Sequence, residues 1–79
     1  MNKDFEIAIG SDEEFEDLTG EICYKGQLLA LISQEKGFNN LEIQIHPPQD
    51  SAYWDFPLKD FEDAIAHVKE RLWELRKTN

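Results

Sequence analysis

The sequence predicts an α+β fold, an antiparallel sheet of four to five strands with one C-terminal helix packed on one face. Two patterns predict it. Apolar and polar residues alternate at residues 4–10 and 41–46, which is the period of strands with one buried face. From residue 58 onward an apolar residue recurs at every third or fourth position, which is the period of a helix. A sheet with one apolar face needs one covering layer, and this helix supplies it.

The front half of the chain contains three predicted strands, Asp4–Gly10, Glu21–Tyr24 and Gln27–Ser33. The second and third are separated by two residues, the latter of which is Gly26, and glycine readily adopts the positive φ of a tight hairpin turn. The run Leu28–Ile32 is apolar at every position. This run is typical of a central strand that is covered on both faces or shielded at its ends.

A fourth strand is predicted at Leu41–His46. Its alternation predicts that three apolar side chains point into the core: Leu41, Ile43 and Ile45. Two prolines, Pro47 and Pro48, end this strand because proline cannot donate a ladder hydrogen bond. After a loop at residues 49–52, the segment Tyr53–Phe56 is the candidate fifth strand.

The helix is predicted over residues 59–76 and is entered through Pro57. Acidic residues lie in its first turn and basic residues lie toward its end, which matches the helix dipole. Its apolar residues fall on one stripe: Phe61, Ala64, Ile65, Val68, Leu72 and Leu75. Trp73 lies away from this stripe, so we expect it on the flank of the helix or exposed.

Composition limits the class of protein. The 79 residues predict one domain, residues 1–79, whose apolar content of 41% is sufficient for a modest core. One cysteine, Cys23, and two histidines cannot form a disulfide or a metal cluster. We therefore expect no cofactor and no metal. The sequence lacks a signal-peptide pattern and any stretch of roughly 20 apolar residues, which predicts a cytoplasmic protein.

The chain carries a net charge of −9, and its first 20 residues hold seven acids against one lysine. Five of these acids form an acidic segment around Phe15: Asp12, Glu13, Glu14, Glu16 and Asp17. Such a charge repels nucleic acid and anionic membranes and attracts basic surfaces. We predict that the partner is a basic protein, with no direct binding of nucleic acid or membrane, and that the acidic segment contacts this partner.

The conformation of the acidic segment stays open at this point. Ser11 precedes Glu14 by three residues, which is the spacing of a helix capping box. Residues 12–18 are therefore either a short helical turn or an irregular acidic loop. Apart from partner recognition, the cluster fits a solvated turn that aids solubility. A calcium site is disfavoured because the alternating ligands and the glycine of an EF-hand loop are missing.

No residue pattern favours catalysis. His46 has no matching nucleophile, and His67 lies on the polar side of the helix, so we expect both histidines at the surface. Cys23 has only Lys25 nearby to lower its pKa, which disfavours a catalytic thiolate. We therefore predict that the protein is not an enzyme. The rival hypothesis, a small enzyme, requires a concave pocket near His46.

Three aromatic residues, Tyr53, Trp54 and Trp73, are predicted as binding anchors because Trp and Tyr are favoured at interface hot spots. Tyr53 and Trp54 are adjacent, so only one of them can face the core in an extended segment. The alternative for Trp54 is packing beneath the helix. The alternative for Trp73 is partial burial at the sheet edge.

Several stretches of the chain carry a resemblance to a protein family: SDEEFEDL at 11–18, EICYKGQ at 21–27, LISQEKG at 31–37, NLEIQI at 40–45 and FPLKDFEDAI at 56–65. Together they resemble small acidic bacterial immunity proteins of polymorphic toxin systems, of the Rhs or contact-dependent type. The resemblance extends from about Phe5 to Leu72. It implies a cytoplasmic protein that binds a cognate toxin domain and occludes its active site without catalysis of its own.

The leading hypothesis is therefore a non-enzymatic immunity protein whose acidic surface binds the basic cleft of a toxin domain, for example a nuclease. The carboxylates would imitate phosphates. The alternative is an acidic interaction or adaptor domain, or an inhibitor of a nucleic-acid-binding protein. These hypotheses share the acidic surface, and a toxin gene beside the gene for this chain would favour the first.

Overall fold

The computed structural model describes residues 3–11 and 17–77. Four strands form one antiparallel sheet in the order β1-β2-β3-β4, and one helix packs on one face of the sheet. The elements are β1 Phe5–Gly10, β2 Thr19–Tyr24, β3 Gln27–Ser33, β4 Glu42–Ile45 and α1 Leu58–Lys77. A 3-10 turn at Phe38–Asn40 lies between β3 and β4. The predicted α+β fold and its C-terminal helix are confirmed.

A two-residue turn, Lys25 and Gly26, connects β2 and β3. Lys25 and Gly26 both have positive φ, at 49° and 82°. Positive φ at both central residues is the geometry of the type I′ turn, whose twist matches that of the flanking strands. The predicted role of Gly26 is confirmed, and Lys25 adopts positive φ as well.

The apolar run in β3 is explained by a break in the strand register. The pairing between β2 and β3 shifts between Ile22 and Cys23, so an extra residue of β3 lies opposite Ile22. Leu29 and Ala30 are consequently both buried in the core beneath α1. Leu31 faces the other side of the sheet and is still only 8% exposed.

The core lies between α1 and the strands β1, β2 and β3. Ala64, Val68 and Leu72 of the helix are fully buried against Ile22 and Leu29 of the sheet. These helical residues belong to the predicted apolar stripe. The stripe is therefore confirmed as the contact surface of the helix.

The prediction that the apolar residues of β4 point into the core is wrong for two of them. Ile43 and Ile45 are 44% and 54% exposed, although they lie on the same side of the sheet as the helix. Leu41 is half-buried. The axes of four strands span about 14 Å, whereas a helix is about 10 Å wide. Because α1 packs chiefly over β1 and β2, it leaves much of Ile43 and Ile45 uncovered.

The candidate fifth strand does not form. The segment Tyr53–Phe56 is irregular, and it leads directly into α1. Other boundaries agree closely with prediction: the helix, predicted at 59–76, spans Leu58–Lys77, and β2 begins two residues earlier than predicted, at Thr19. Within the described residues, no helix has the length and apolar character needed to cross a membrane.

Candidate functional site

The sheet face opposite α1 carries several exposed acidic side chains. Glu6, Glu21 and Glu42 lie on this face, on β1, β2 and β4, and all three are exposed together with Gln44. We call these four residues the acidic face. Among the described residues, one ion pair is formed on it, between Lys36 Nζ and Glu42 Oε2 at 2.9 Å. Because both of its side chains are mostly exposed, this pair holds Glu42 only weakly.

Cys23 lies on the same side of the sheet, directly opposite Glu6 in the strand register. Burial raises the pKa of its thiol, and the neighbouring carboxylates of Glu21 and Glu6 raise it further. A raised pKa lowers the thiolate fraction near neutral pH, and the thiolate is the reactive form. The surroundings of Cys23 therefore oppose nucleophilic chemistry and reflect the negative potential of the acidic face.

Most of the predicted acidic segment, Asp12, Glu13, Glu14 and Glu16, lies outside the described residues. Its last residue, Asp17, is exposed, and its backbone N–H donates to Glu35 Oε2 at 3.2 Å. Next to it, the carbonyl oxygen of Leu18 accepts a hydrogen bond from Gln34 Nε2 at 2.9 Å. These two bonds hold the end of the acidic segment against the loop that follows β3.

The three predicted aromatic anchors differ in exposure. Tyr53 is 69% exposed and Trp73 is 42% exposed, as predicted for a residue on the helix flank. Trp54 is half-buried, and its indole N–H donates to the carbonyl oxygen of His46. Trp54 also belongs to a cluster of packed rings, in which neighbouring centroids are 4.8–6.4 Å apart: Phe5, Tyr24, Trp54, Phe56 and Phe61.

An apolar groove lies between α1 and β4, where the helix leaves the sheet uncovered. It has a volume of about 440 Å³. Its lining is mostly apolar: Ile32, Phe38, Asn39, Leu41, Glu42, Ile43, Ile65 and Lys69. Beside it, the ring of Phe38 packs against Trp73 with centroids 5.1 Å apart.

The predicted aromatic anchors lie at opposite ends of β4. Trp73 contacts Phe38, which precedes the strand, whereas Trp54 bonds to His46, which directly follows it. Tyr53 lines a shallow cavity of about 190 Å³ on the side of Trp54. The strand between these ends carries Ile43 and Ile45, which sequence reasoning placed in the core. Their exposure follows from the lateral position of the helix, and no local pattern signals that position.

The histidines do not converge on a shared site. His67 is exposed, as predicted, whereas His46 is half-buried. The Nε2 atom of His46 is buried and has no hydrogen-bond partner among the described residues. In this part of the chain no group of three or more His, Cys, Asp or Glu side chains is arranged to hold a metal ion.

Comparisons with known proteins assign neither a family nor a function to this chain. No protein family matches the chain, and neither a curated protein nor a solved structure is significantly similar to it.

Proposed function

We propose that this domain is a non-enzymatic immunity protein that binds and neutralises a basic toxin domain through an acidic surface. The observation that carries the proposal is the acidic face, where Glu6, Glu21 and Glu42 are exposed on three of the four strands. The net charge of the chain, −9, has the same sign as this face. The proposal rests on this charge and on the resemblance of the sequence to immunity proteins.

A rigid sheet supports such a role because it fixes the positions of the carboxylates. Glu6 and Glu21 are diagonal neighbours across the β1–β2 pair, a relation in which residues stand about 7–8 Å apart, so the strands need no rearrangement to present both carboxylates to a partner. Exposed charges of one sign mainly raise the association rate, and added salt screens them. The buried Leu31 and the partly buried Cys23 supply a less polar centre between the glutamates.

The first test is genetic. The gene adjacent to the gene for this chain is expressed alone and together with it, and growth of the host is measured. We expect growth arrest by the neighbour and rescue by this chain. A neighbour that does not arrest growth, or an arrest that this chain does not relieve, would contradict the immunity role. A non-toxic neighbour that binds nucleic acid would favour the alternative, an inhibitor of such a protein.

The second test locates the binding surface. We expect the double substitution Glu6→Gln with Glu21→Gln to slow association with the neighbour's product, measured by stopped flow at low salt, and to matter less at high salt. The matched control is Asp63→Asn with Glu70→Gln, which removes the same charge from exposed positions on α1. Equal effects of the two double variants would show that net charge alone acts and that the acidic face is not the contact surface.

A further inference from the structure

Within the described residues, the outer edge of β4 presents backbone groups that have no strand partner. β4 is a terminal strand of the sheet, and within residues 3–11 and 17–77 its only strand partner is β3. The backbone N–H of His46 donates to the carbonyl oxygen of Leu29 at 2.8 Å. In an antiparallel pair, residues whose backbone groups bond to the neighbouring strand alternate with residues whose backbone groups point away from it. Gln44 and Glu42 therefore also bond toward β3. The N–H and C=O groups of Ile43 and Ile45 therefore point outward.

The side chains at this edge are unusual for an exposed strand. Proteins protect such edges with charged side chains, prolines or bulges, because an open edge pairs with other strands. Here Ile43 and Ile45 lie exposed beside the apolar groove. The opposite edge differs, because Phe5 on β1 is buried, and Ile7 and Ile9 are half-buried against the core. In the described part of the sheet, only the β4 edge combines outward backbone groups with large exposed apolar side chains.

The two sides of β4 specify the chemistry of an added strand. On the helix side, its residues would lie beside Ile43 and Ile45, where apolar side chains can reach the groove. On the other side, they would lie beside Glu42 and Gln44 and extend the acidic face, where cationic side chains are favoured. An alternating apolar and basic segment satisfies both sides.

We propose that the β4 edge binds an extended segment of a basic protein, in which apolar and Lys or Arg residues alternate, by adding it to the sheet as a fifth strand. This mode obtains affinity from main-chain hydrogen bonds and specificity from alternate side chains. Pro47 and Pro48 follow the strand closely, so the paired segment is short. The cationic character of the partner rests on the proposed function, whereas the strand pairing rests on the backbone geometry alone.

A second copy of this chain is the competing occupant. Antiparallel pairing of two β4 edges is geometrically allowed, because a twofold axis at Gln44 places Ile43 of one copy opposite Ile45 of the other. The charge of −9 on each copy opposes this association, whereas it favours a basic segment. Self-association is therefore measured first, by sedimentation velocity of the chain alone, and we expect a monomer. A dimer that Ile43→Pro abolishes would overturn the proposal in favour of self-pairing.

The binding experiment uses two synthetic peptides of six residues, three lysines and three valines each, with blocked ends. In one peptide lysine and valine alternate, and in the other the three lysines precede the three valines. Binding to the full chain is measured by isothermal titration calorimetry at two salt concentrations. We expect tighter binding of the alternating peptide, because only this order places valines on one face of a strand. Equal binding would show non-specific charge attraction and would overturn the proposal.

A backbone substitution tests the hydrogen bonds directly. Ile43→Pro removes an outward N–H, and the preceding residue Glu42 already has the extended conformation that a following proline requires. The matched control, Ile43→Ala, loses the same apolar side chain but retains the N–H. We expect the alternating peptide to bind Ile43→Pro about fivefold more weakly than Ile43→Ala, or weaker still. Equal affinities would overturn strand addition.

Amide hydrogen exchange keeps the proposal testable if the proline variant does not fold. In the unaltered chain, the alternating peptide should slow exchange at Ile43 and Ile45, while Gln44 is already protected by its bond toward β3. Unchanged exchange at both isoleucines in saturated complex would overturn the proposal. None of the peptide experiments requires the toxin. A failed growth rescue would therefore contradict the immunity role without affecting the test of strand addition.

Discussion

The two halves of the sheet differ in burial although they carry the same kind of side chain on the same side. Ile22 on β2 is completely buried beneath α1, whereas Ile43 on β4 is 44% exposed. Both isoleucines point toward the side of the sheet that the helix occupies. The difference arises because one helix covers about two strands. Burial in this fold therefore depends on the lateral position of α1.

The covered half is also packed more closely than apolar contact alone requires. Gly20 lies on β2 opposite Ile9, and a side chain there would meet Val68 of α1. A Cβ atom at this position would lie well inside van der Waals contact with Val68 Cγ1. The missing side chain allows the helix to approach the sheet over β1 and β2. This close approach favours packing of the helix over β1 and β2.

The largest expected difference between the halves is in the cost of removing an isoleucine. We expect Ile22→Ala to lower the free energy of unfolding by about 3 kcal/mol, because it leaves a cavity beneath the helix. A domain of this size has a stability on the order of 5 kcal/mol, so this loss is a large part of the total. Urea denaturation followed by tryptophan fluorescence measures the change.

The matched substitution in the open half is Ile43→Ala. We expect it to cost less than about 1 kcal/mol, because almost half of this side chain is already in water. Similar losses for the two variants would contradict the comparison, since they would mean that β4 is covered as well as β2 is.

Adding a single methyl group between the helix and the sheet is expected to destabilise the fold no more than the loss of the Ile22 side chain does. Gly20→Ala should lower the free energy of unfolding by about 1–3 kcal/mol, because the branched side chain of Val68 cannot easily move away. Thermal unfolding followed by circular dichroism measures it. The control is Gly10→Ala, where an added Cβ meets no atom within 4 Å.

The contact with Val68 is isolated by combining Gly20→Ala with Val68→Ala. If the clash is the cause, the double variant loses less stability than the two single variants together. Strict additivity would contradict the close approach of the helix at Gly20.

The strands and the helix were predictable because their periods are local properties of the sequence. The stripe from Phe61 to Leu75 repeats at helical spacing over four turns, and no other arrangement buries it as well. The hairpin at Gly26 follows from the conformational freedom of one residue. The failed fifth strand shows the limit: Tyr53–Phe56 is apolar enough for a strand, but the packing of Trp54 and Phe56 into the ring cluster decides its path.

The candidate binding surfaces were predictable only in part. The exposure of Glu6, Glu21 and Glu42 agrees with strand alternation, which places them on the side away from the apolar residues of their strands. The open edge at Ile43 and Ile45 was not predictable, because alternation reports which side of a sheet a residue faces and gives no information about what covers that side. The burial of Trp54 likewise depends on contacts between segments far apart in the chain.

The smallest expected effect concerns the sheet face opposite α1. On β2, Ile22 is fully buried on the helix side, whereas Cys23 is partly buried on the opposite side. Burial and the carboxylates of Glu21 and Glu6 raise the pKa of Cys23. The rate of reaction with a soluble disulfide reagent follows the thiolate fraction. We therefore expect a pH–rate midpoint above that of an unfolded cysteine peptide.

Substitution of one carboxylate separates the effect of charge from that of burial. Glu21→Gln removes a negative charge that opposes the thiolate, so the pKa of Cys23 should fall, and the reaction at pH 8 should become faster. Access to the thiol is unchanged by this isosteric substitution. The control Glu70→Gln removes the same charge from an exposed position on α1 and should leave the midpoint unchanged. If Glu21→Gln also leaves the midpoint unchanged, the charge of Glu21 exerts no measurable potential at Cys23, and burial and Glu6 remain as the causes of the raised pKa.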